Sequence, residues 1–383
     1  MKRILLILFL LSTVVLGERD SLKNLKNLKN FYKEEILDRE YKVVKGKVID
    51  ISYDDTNEVR NISIESDIRY QHLEIKLLNG DFKGNTYTLR NTIDQINPYK
   101  LILKKGENIL LYQYEDNGKL TGLKIFERSK EKSLYFLTGI FMLFMLLIGG
   151  KKGLKSFITL VLTLIIVIFF LIPLLLKGFS PIPITIISAT IITILTLFIV
   201  SGINRKTFAG VVGTVLGTLM AGLLAMGIGN YSNLVGMGSE DMQALVYGSN
   251  GSFLNYRGIL FSGVIIGALG AVMDVAISIA SSMWEIETIY PEITTKQLIK
   301  SGMNIGKDIM GVMSNTLILA YVGSSLSLIM VFFSFKLSFL EIVNLDIVAT
   351  EIIRSIAGSI GLVLSIPITV LVTAMLRPKN INS

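Results

Sequence analysis

Gly258-Ile-Leu-Phe-Ser-Gly263-Val-Ile-Ile-Gly267-Ala-Leu-Gly270-Ala-Val-Met-Asp274-Val-Ala-Ile-Ser278-Ile-Ala-Ser281-Ser282 is a long apolar run with one ionisable side chain. About 20 such residues cross a bilayer core as a helix. Glycines, serines and the aspartate recur at spacings of three and four, so they share one helix face. The segment therefore reads as a membrane span with a special side.

Similar runs flank it, at about 134–149, 154–176, 181–201, 207–229, 311–335 and 353–376. With 258–283 they make about seven spans, all inside residues 133–383. Composition agrees: of 383 residues 51% are hydrophobic and only 18% charged, and mean hydropathy is +0.58. A soluble domain carries roughly a quarter charged residues. The absence of cysteine excludes disulfides, thiolate metal sites and a cysteine nucleophile, and His72 is the only histidine. No metal site or cofactor is expected.

Met1-Lys2-Arg3 followed by an apolar stretch to Val15 and then Gly17 has the form of a secretory signal over residues 1–17, cleaved or kept as an anchor. Either way the chain from Glu18 is exported. Residues 18–40, with Leu-Lys-Asn repeated, read as a polar tether. Residues 41–128 alternate apolar and polar positions, for example Leu73, Ile75 and Leu77, between turns such as Asn79-Gly80-Asp81 and Asp116-Asn117-Gly118. Strands are expected at Tyr41–Ser52, Asn61–Ser66, His72–Leu78, Asn85–Asn91, Ile109–Tyr114 and Leu120–Phe126, closing as a small extracytoplasmic β-barrel of OB or SH3-like type. Such barrels often hold nucleic acid. Here 22 Lys and Arg stand against 20 Asp and Glu in residues 18–132, and no aromatic-rich basic stripe appears, so no nucleic-acid partner is expected. With the barrel outside, inner loops of the membrane part hold ten basic residues and outer loops four. That distribution obeys the positive-inside rule and puts the C-terminus in the cytoplasm.

The ladder Gly213, Gly217, Ala221, Ala225 and Gly229 lets a second helix approach closely. Gly263, Gly267 and Gly270 offer the same on the aspartate-bearing span. Asp274 is the one ionisable residue well inside a span, about 24 Å from its helix start at ~1.5 Å per residue. A charged carboxylate there costs on the order of 3 kcal/mol on insertion scales. A carboxyl that gains and loses a proton is what ion-coupled transport needs. The alternative is a structural hydrogen bond to Asn315 or Thr316 in the next span. Ser278, Ser281, Asn315 and Thr316 are candidates to line a pathway. Residues 284–310, rich in Glu and Lys, read as an amphipathic stretch along the inner surface, either a gate or an anchor. Pro367 is expected to kink the last span, and Glu351 can pair with Arg354 three residues on. A lone intramembrane carboxylate excludes an aspartyl intramembrane protease, and the want of a second histidine argues against a Ser–His one. No enzyme is expected.

Gly-Ala-Val-Met-Asp-Val-Ala-Ile-Ser-Ile-Ala-Ser-Ser (270–282) and Ser-Gly-Met-Asn-Ile-Gly-Lys-Asp-Ile-Met-Gly-Val-Met-Ser-Asn-Thr-Leu-Ile-Leu-Ala-Tyr (301–321), after a signal and a small β domain, resemble the YibE/F family of bacterial membrane proteins. The resemblance implies a multi-pass protein of the bacterial cytoplasmic membrane and carries no activity with it. The aspartate span and the polar span after it are also similar, more faintly, to the central helices of proton-driven RND, MMPL and SecD/SecF exporters. That likeness implies a proton-carrying role for Asp274. It departs in span order, the aspartate span being fifth after the exported domain rather than third, and in lacking a paired Asp or Lys. The expected function is a secondary transporter or export-related permease for an unknown small substrate. It would contact membrane lipid and could assemble with itself or a second integral-membrane subunit. A non-transporting sensor or scaffold, whose β domain holds an envelope partner, is the other reading.

Overall fold

The computed structural model describes residues 41–56, 68–116, 118–248 and 254–377, in two units. The expected signal, tether and 61–66 strand, Asn117, Asn250-Gly251 and Lys379 lie outside the described residues.

The first unit holds β1 (Tyr41–Asp54), β2 (Ile68–Leu77), β3 (Thr86–Asp94), β4 (Asn108–Asp116) and β5 (Lys119–Arg128). They form an antiparallel sheet in the order β3-β2-β1-β4-β5. β1 serves two partners because it bends. Register shifts at Val48/Asp50 and Ile51/Tyr53 let its first half pair with β4 while its second half pairs with β2. The sheet curls into a near-barrel around Val44, Val48, Leu73, Ile75, Leu77, Leu103, Ile109 and Leu111. Alternation puts these on one face, and each large apolar side chain so buried contributes about 1.5–3 kcal/mol. Gly46 is where the wall is thinnest: a Cβ there would lie 2.7 Å from Ile75 and 2.8 Å from Leu111. Gln71 is one of several buried polar residues in this unit. Gln71 donates to Asp54 Oδ2 at 2.8 Å and the Leu103 carbonyl at 3.1 Å, and accepts from Asn91 at 3.1 Å and the Leu103 amide at 3.0 Å. It ties the loop between β3 and β4 to the sheet.

The second unit, which begins at Met145 inside the first helix, is helical. α1 (Glu131–Ile166) leaves helical geometry at Gly150, with φ 52° and ψ −130°. A Cβ on Gly153 would meet the Met145 carbonyl at 1.9 Å, so the chain turns sharply where the sequence reading separates its first two spans. A π turn (Val167–Leu171) and α2 (Ile172–Leu176) follow. Next come α3 (Pro181–Ser201), α4 (Arg205–Tyr231), the short α5 (Glu240–Gly248), α6 (Tyr256–Ile289), α7 (Thr295–Ser324), α8 (Leu326–Ser334), α9 (Phe339–Asn344) and α10 (Asp346–Met375). Counting Glu131–Leu176 as one, five helices among the described residues are long and apolar enough to cross a membrane, and six if α7 and α8 form one bent span. The sequence reading reaches seven by dividing 131–176 at Gly150.

The surface stretch expected at 284–310 is not a separate element. α6 continues to Ile289, and α7 starts at a Thr294–Gln297 capping box and runs unbroken to Ser324. Nothing between Thr295 and Met310 stops a helix, and Leu298, Gly302 and Gly306 bury its first half. The break comes later, at Ser325, where α7 and α8 meet at 59°. The amphipathic residues from Thr295 onward are helical, as expected, and continuous with the residues read as the sixth span.

The bundle centres on α4, α6 and α10. Gly213, Gly217 and Ala221 of α4 are buried on α10. A Cβ on Gly213 would stand 1.9 Å from Thr369 Oγ1, one on Gly217 would stand 2.7 Å from Ser365 Cβ, and one on Gly361 would stand 2.5 Å from Ala221 Cβ. Small residues bring the two backbones together where lipid supplies no hydrophobic drive. On its other side α4 takes side chains of α6, with Ile265 over Gly222 and Phe261 over Gly229.

Candidate functional site

α6 is buried nearly all round: Leu260, Val264, Ile265, Ala268, Val272, Val275, Ala276, Ile279 and Met283 all face neighbours. One stripe escapes. Gly263, Gly267, Gly270, Asp274 and Ser278 are exposed, and Ser281 is half-buried. Three- and four-residue spacing put them on one side, and the core-making residues took the others.

α7 runs antiparallel to α6 along this side. Met283 Sδ lies 2.5 Å from a Cβ on Gly302, Ile279 Cδ1 lies 3.4 Å from one on Gly306, and Tyr321 Oη lies 2.3 Å from one on Gly267. Pairing 283 with 302, 279 with 306 and 267 with 321 puts residues 311–314 level with Asp274. Around this level the stripe is uncovered. A Cβ on Gly270 or on Gly311 would meet no heavy atom within 4 Å. Asp274 is thus exposed on an open stretch of the stripe, its slot, and by register Gly311 to Ser314 of α7 lie level with it.

Ser314 lies seven residues before Tyr321, two helical turns, and so on nearly the same face of α7. The Ser314 hydroxyl and the Tyr321 hydroxyl are both buried without a partner. Asn315 and Thr316 are exposed, and Thr316 donates to the Val312 carbonyl at 2.9 Å. No hydrogen bond joins Asp274 to Asn315, Thr316, Ser278 or Ser281 among the described residues. The serine and tyrosine had no signal in the sequence beyond their spacing, because their meaning depends on the register with α6.

Beyond Tyr321 the polar residues continue onto α10. Arg354 Nη1 donates to Glu351 Oε1 at 2.8 Å, and Arg354 Nη2 is 3.8 Å from a Cβ on Gly263. The pair borders a cavity of about 370 Å³ under the 236–242 segment. Glu351 also borders a smaller apolar cavity of about 140 Å³ in the elbow between α7 and α8, with Tyr321 and Phe332. At the opposite end of α6, Arg377 Nε lies 3.3 Å from Glu287, and Arg377 Nη2 donates to the Pro291 carbonyl at 2.8 Å. This clamp holds the α6–α7 turn; by sequence Arg377 reads only as a loop charge.

The β unit carries charge pairs and aromatics. Lys42 lies 2.6 Å from Asp81 and 3.0 Å from Glu115. The hydrogen bond that Lys42 donates holds the Asp81 carboxyl below its ordinary value of 3.8, and the same bond raises Lys42. Lys105 does the same to Asp50 at 2.8 Å. Burial pushes Asp54 up, but hydrogen bonds from Thr56 and Gln71 together outweigh it and leave the carboxyl low. Tyr41, Tyr112 and Phe126 cluster, with ring centroids 4.6 Å apart for Tyr41–Tyr112 and for Tyr112–Phe126. His72 is exposed on β2, edge-on to Tyr53. Among the described residues no three His, Asp or Glu come together to hold a metal.

Comparison with known proteins bears on both units. No curated protein and no solved structure matches the chain. A family model described as the YibE/F family N-terminal domain matches residues 39–125, which contain the first four strands and most of the fifth. A second, described as YibE/F-like protein, matches residues 137–379, more than half the chain and all of α2 to α10. The Asp274 stripe, the Ser314–Tyr321 face and the α4–α10 ladder lie in that second match, and the chain belongs to the YibE/F family of multi-pass membrane proteins.

Proposed function

We propose that this chain is a secondary transporter or export-related permease of the bacterial cytoplasmic membrane, with Asp274 carrying the coupling proton or cation. The observation that supports this most is the slot. A carboxylate inside a candidate span is costly wherever it faces lipid, yet Asp274 is exposed on α6, level in register with a buried and unpartnered Ser314 hydroxyl of α7. A titrating carboxyl needs access and a polar neighbour, and the slot offers both. Helix α7 touches α6 further along in both directions, through glycines, so small shifts of α7 open or close the slot. Gly263 and Gly270 leave room for that movement. No bond-making chemistry is assigned to the chain. Its partners are membrane lipid, a small substrate and a second copy or another membrane subunit; nucleic acid is not among them.

The topology that goes with this reading is a signal or anchor, an exported β domain, seven spans with Glu131–Leu176 counted as two, and a cytoplasmic C-terminus. The strand order, with β1 paired to both β2 and β4, favours an OB-type barrel for the exported domain.

The test is carbodiimide modification of the membrane-embedded protein from pH 5 to 9, mapped by mass spectrometry, together with flux in proteoliposomes. Asp274 should label in a pH-dependent way, and Asp274→Asn should abolish proton-coupled flux without loss of folded protein. Full flux in Asp274→Asn sinks the reading. A scaffold role is favoured instead by the Tyr41, Tyr112 and Phe126 cluster, an aromatic patch with Phe126 48% exposed. Under it, deletion of residues 18–132 removes all function and Asp274 is dispensable.

A further inference from the structure

The cavity at the start of α10 has the features of a ligand site. Its volume of about 370 Å³ falls within the roughly 300–1,000 Å³ of small-molecule pockets. Its walls are of two kinds. Met242, Ile259, Leu260 and Ile347 make an apolar side, and Asp241, Glu351 and Arg354 make a charged one. The Glu351–Arg354 pair is incompletely used. It spends Glu351 Oε1 and Arg354 Nη1 on each other, while Glu351 Oε2 and Arg354 Nε are buried with no partner. A buried unpaired acceptor and a buried unpaired donor each cost about 1–3 kcal/mol, more when charged. Neither atom is open to solvent, so what the cavity meets is the exposed part of the pair, 27% of the Arg354 side chain and 24% of the Glu351 side chain.

A ligand that engages both exposed side chains must bring a donor to Glu351 and an acceptor to Arg354 at neighbouring positions. A metal ion supplies no acceptor, and the described residues hold no metal-binding cluster. A simple anion supplies no donor. We infer that this cavity binds a zwitterionic small molecule of the amino-acid type, its carboxylate on Arg354, its ammonium toward Glu351 and Asp241, and its side chain against the apolar wall. The guanidinium suits a carboxylate because its planar donors match the two oxygens. Asp241 gives the site a net excess of acid, which favours the ammonium end. The inference names the substrate class for the transport reading and rests on that reading only for the word substrate. The cavity and the Asp274 slot lie on the same side of α6, joined by Arg354 beside Gly263 and Tyr321 over Gly267.

The experiment is equilibrium binding to the full chain in nanodiscs, with each of the twenty standard amino acids as probe. The tightest is then compared with its decarboxylated amine and its deaminated acid. At least one amino acid should bind saturably, and removal of either charged group should weaken it tenfold or more. Glu351→Gln and Arg354→Gln should each do the same. Asp241→Asn, an exposed position that tolerates the change, should weaken binding severalfold even if the pair variants fail to fold. The proposal is overturned if no amino acid binds folded protein, if the amine or the acid alone binds equally well, or if Asp241→Asn and every folded pair variant bind as the parent does. Binding needs no gradient, so failure here is read separately from the flux of Asp274→Asn.

Discussion

The hydroxyl of Tyr321 on α7 lies over Gly267 of α6, so close that a Cβ at that glycine would stand 2.3 Å from its oxygen. This contact closes one end of the Asp274 slot. Further along the same pair of helices, a Cβ on Gly306 would stand 3.4 Å from Ile279 Cδ1. The spacing between the two contacts places Ser314 level with Asp274.

Gly267→Ala should lower the thermal midpoint of the detergent-solubilised chain, although alanine is the better helix former by about 1 kcal/mol. The added methyl displaces Tyr321. Combining it with Tyr321→Ala should recover most of the loss, a coupling that a double-mutant cycle measures. Additive losses would show that the two residues do not meet.

Glycines in the bundle should divide by what a Cβ would touch. Gly217→Leu drives a side chain into Ser365 of α10 and should cost 1–3 kcal/mol or more by overpacking. Gly270→Ala meets nothing within 4 Å and should be neutral or stabilising by up to about 1 kcal/mol. Midpoints of the two variants in one detergent check the contrast.

Gln71→Leu should loosen the β3–β4 loop more than it disturbs the sheet. It strips partners from Asn91, Asp54 and both backbone groups of Leu103. Each buried group left unpaired costs about 1–3 kcal/mol. Hydrogen exchange at the Leu103 amide should accelerate first, ahead of amides in β1 and β2.

Acid should weaken the β unit. Asp50, Asp54 and Asp81 all sit below the ordinary 3.8 in the folded chain. A depressed carboxyl stabilises above its unfolded value, and that gain is lost as pH falls through the folded one. Stability should therefore be flat above about pH 5 and decline below about pH 4. Lys42→Ala should remove the Asp81 share of that decline. Because Lys42 and Asp81 are solvent-exposed, the effect should also shrink in high salt.

Much of this architecture was legible without a structure. A span declares itself by composition over about 20 residues, and a half-buried strand by alternation. Both are local properties. So is the helix stripe, which put Asp274 beside Gly267 and Gly270 from spacing alone. The continuity of α7 from Thr295 to Ser324 is not legible in the same way, because amphipathic character changes along it while helical geometry does not.

What sequence alone determined is therefore which stretches can leave water and which faces they carry, since solvation depends on the residues in each stretch. Tertiary structure decided who meets whom. Tyr321 faces Gly267, Ser314 stands level with Asp274, and Gln71 anchors Leu103 because helices and strands distant in the chain settled into one register. Register is set by the summed fit of many small contacts, Gly302 on Met283 and Gly361 on Ala221 among them. No one of those contacts is visible in either segment by itself.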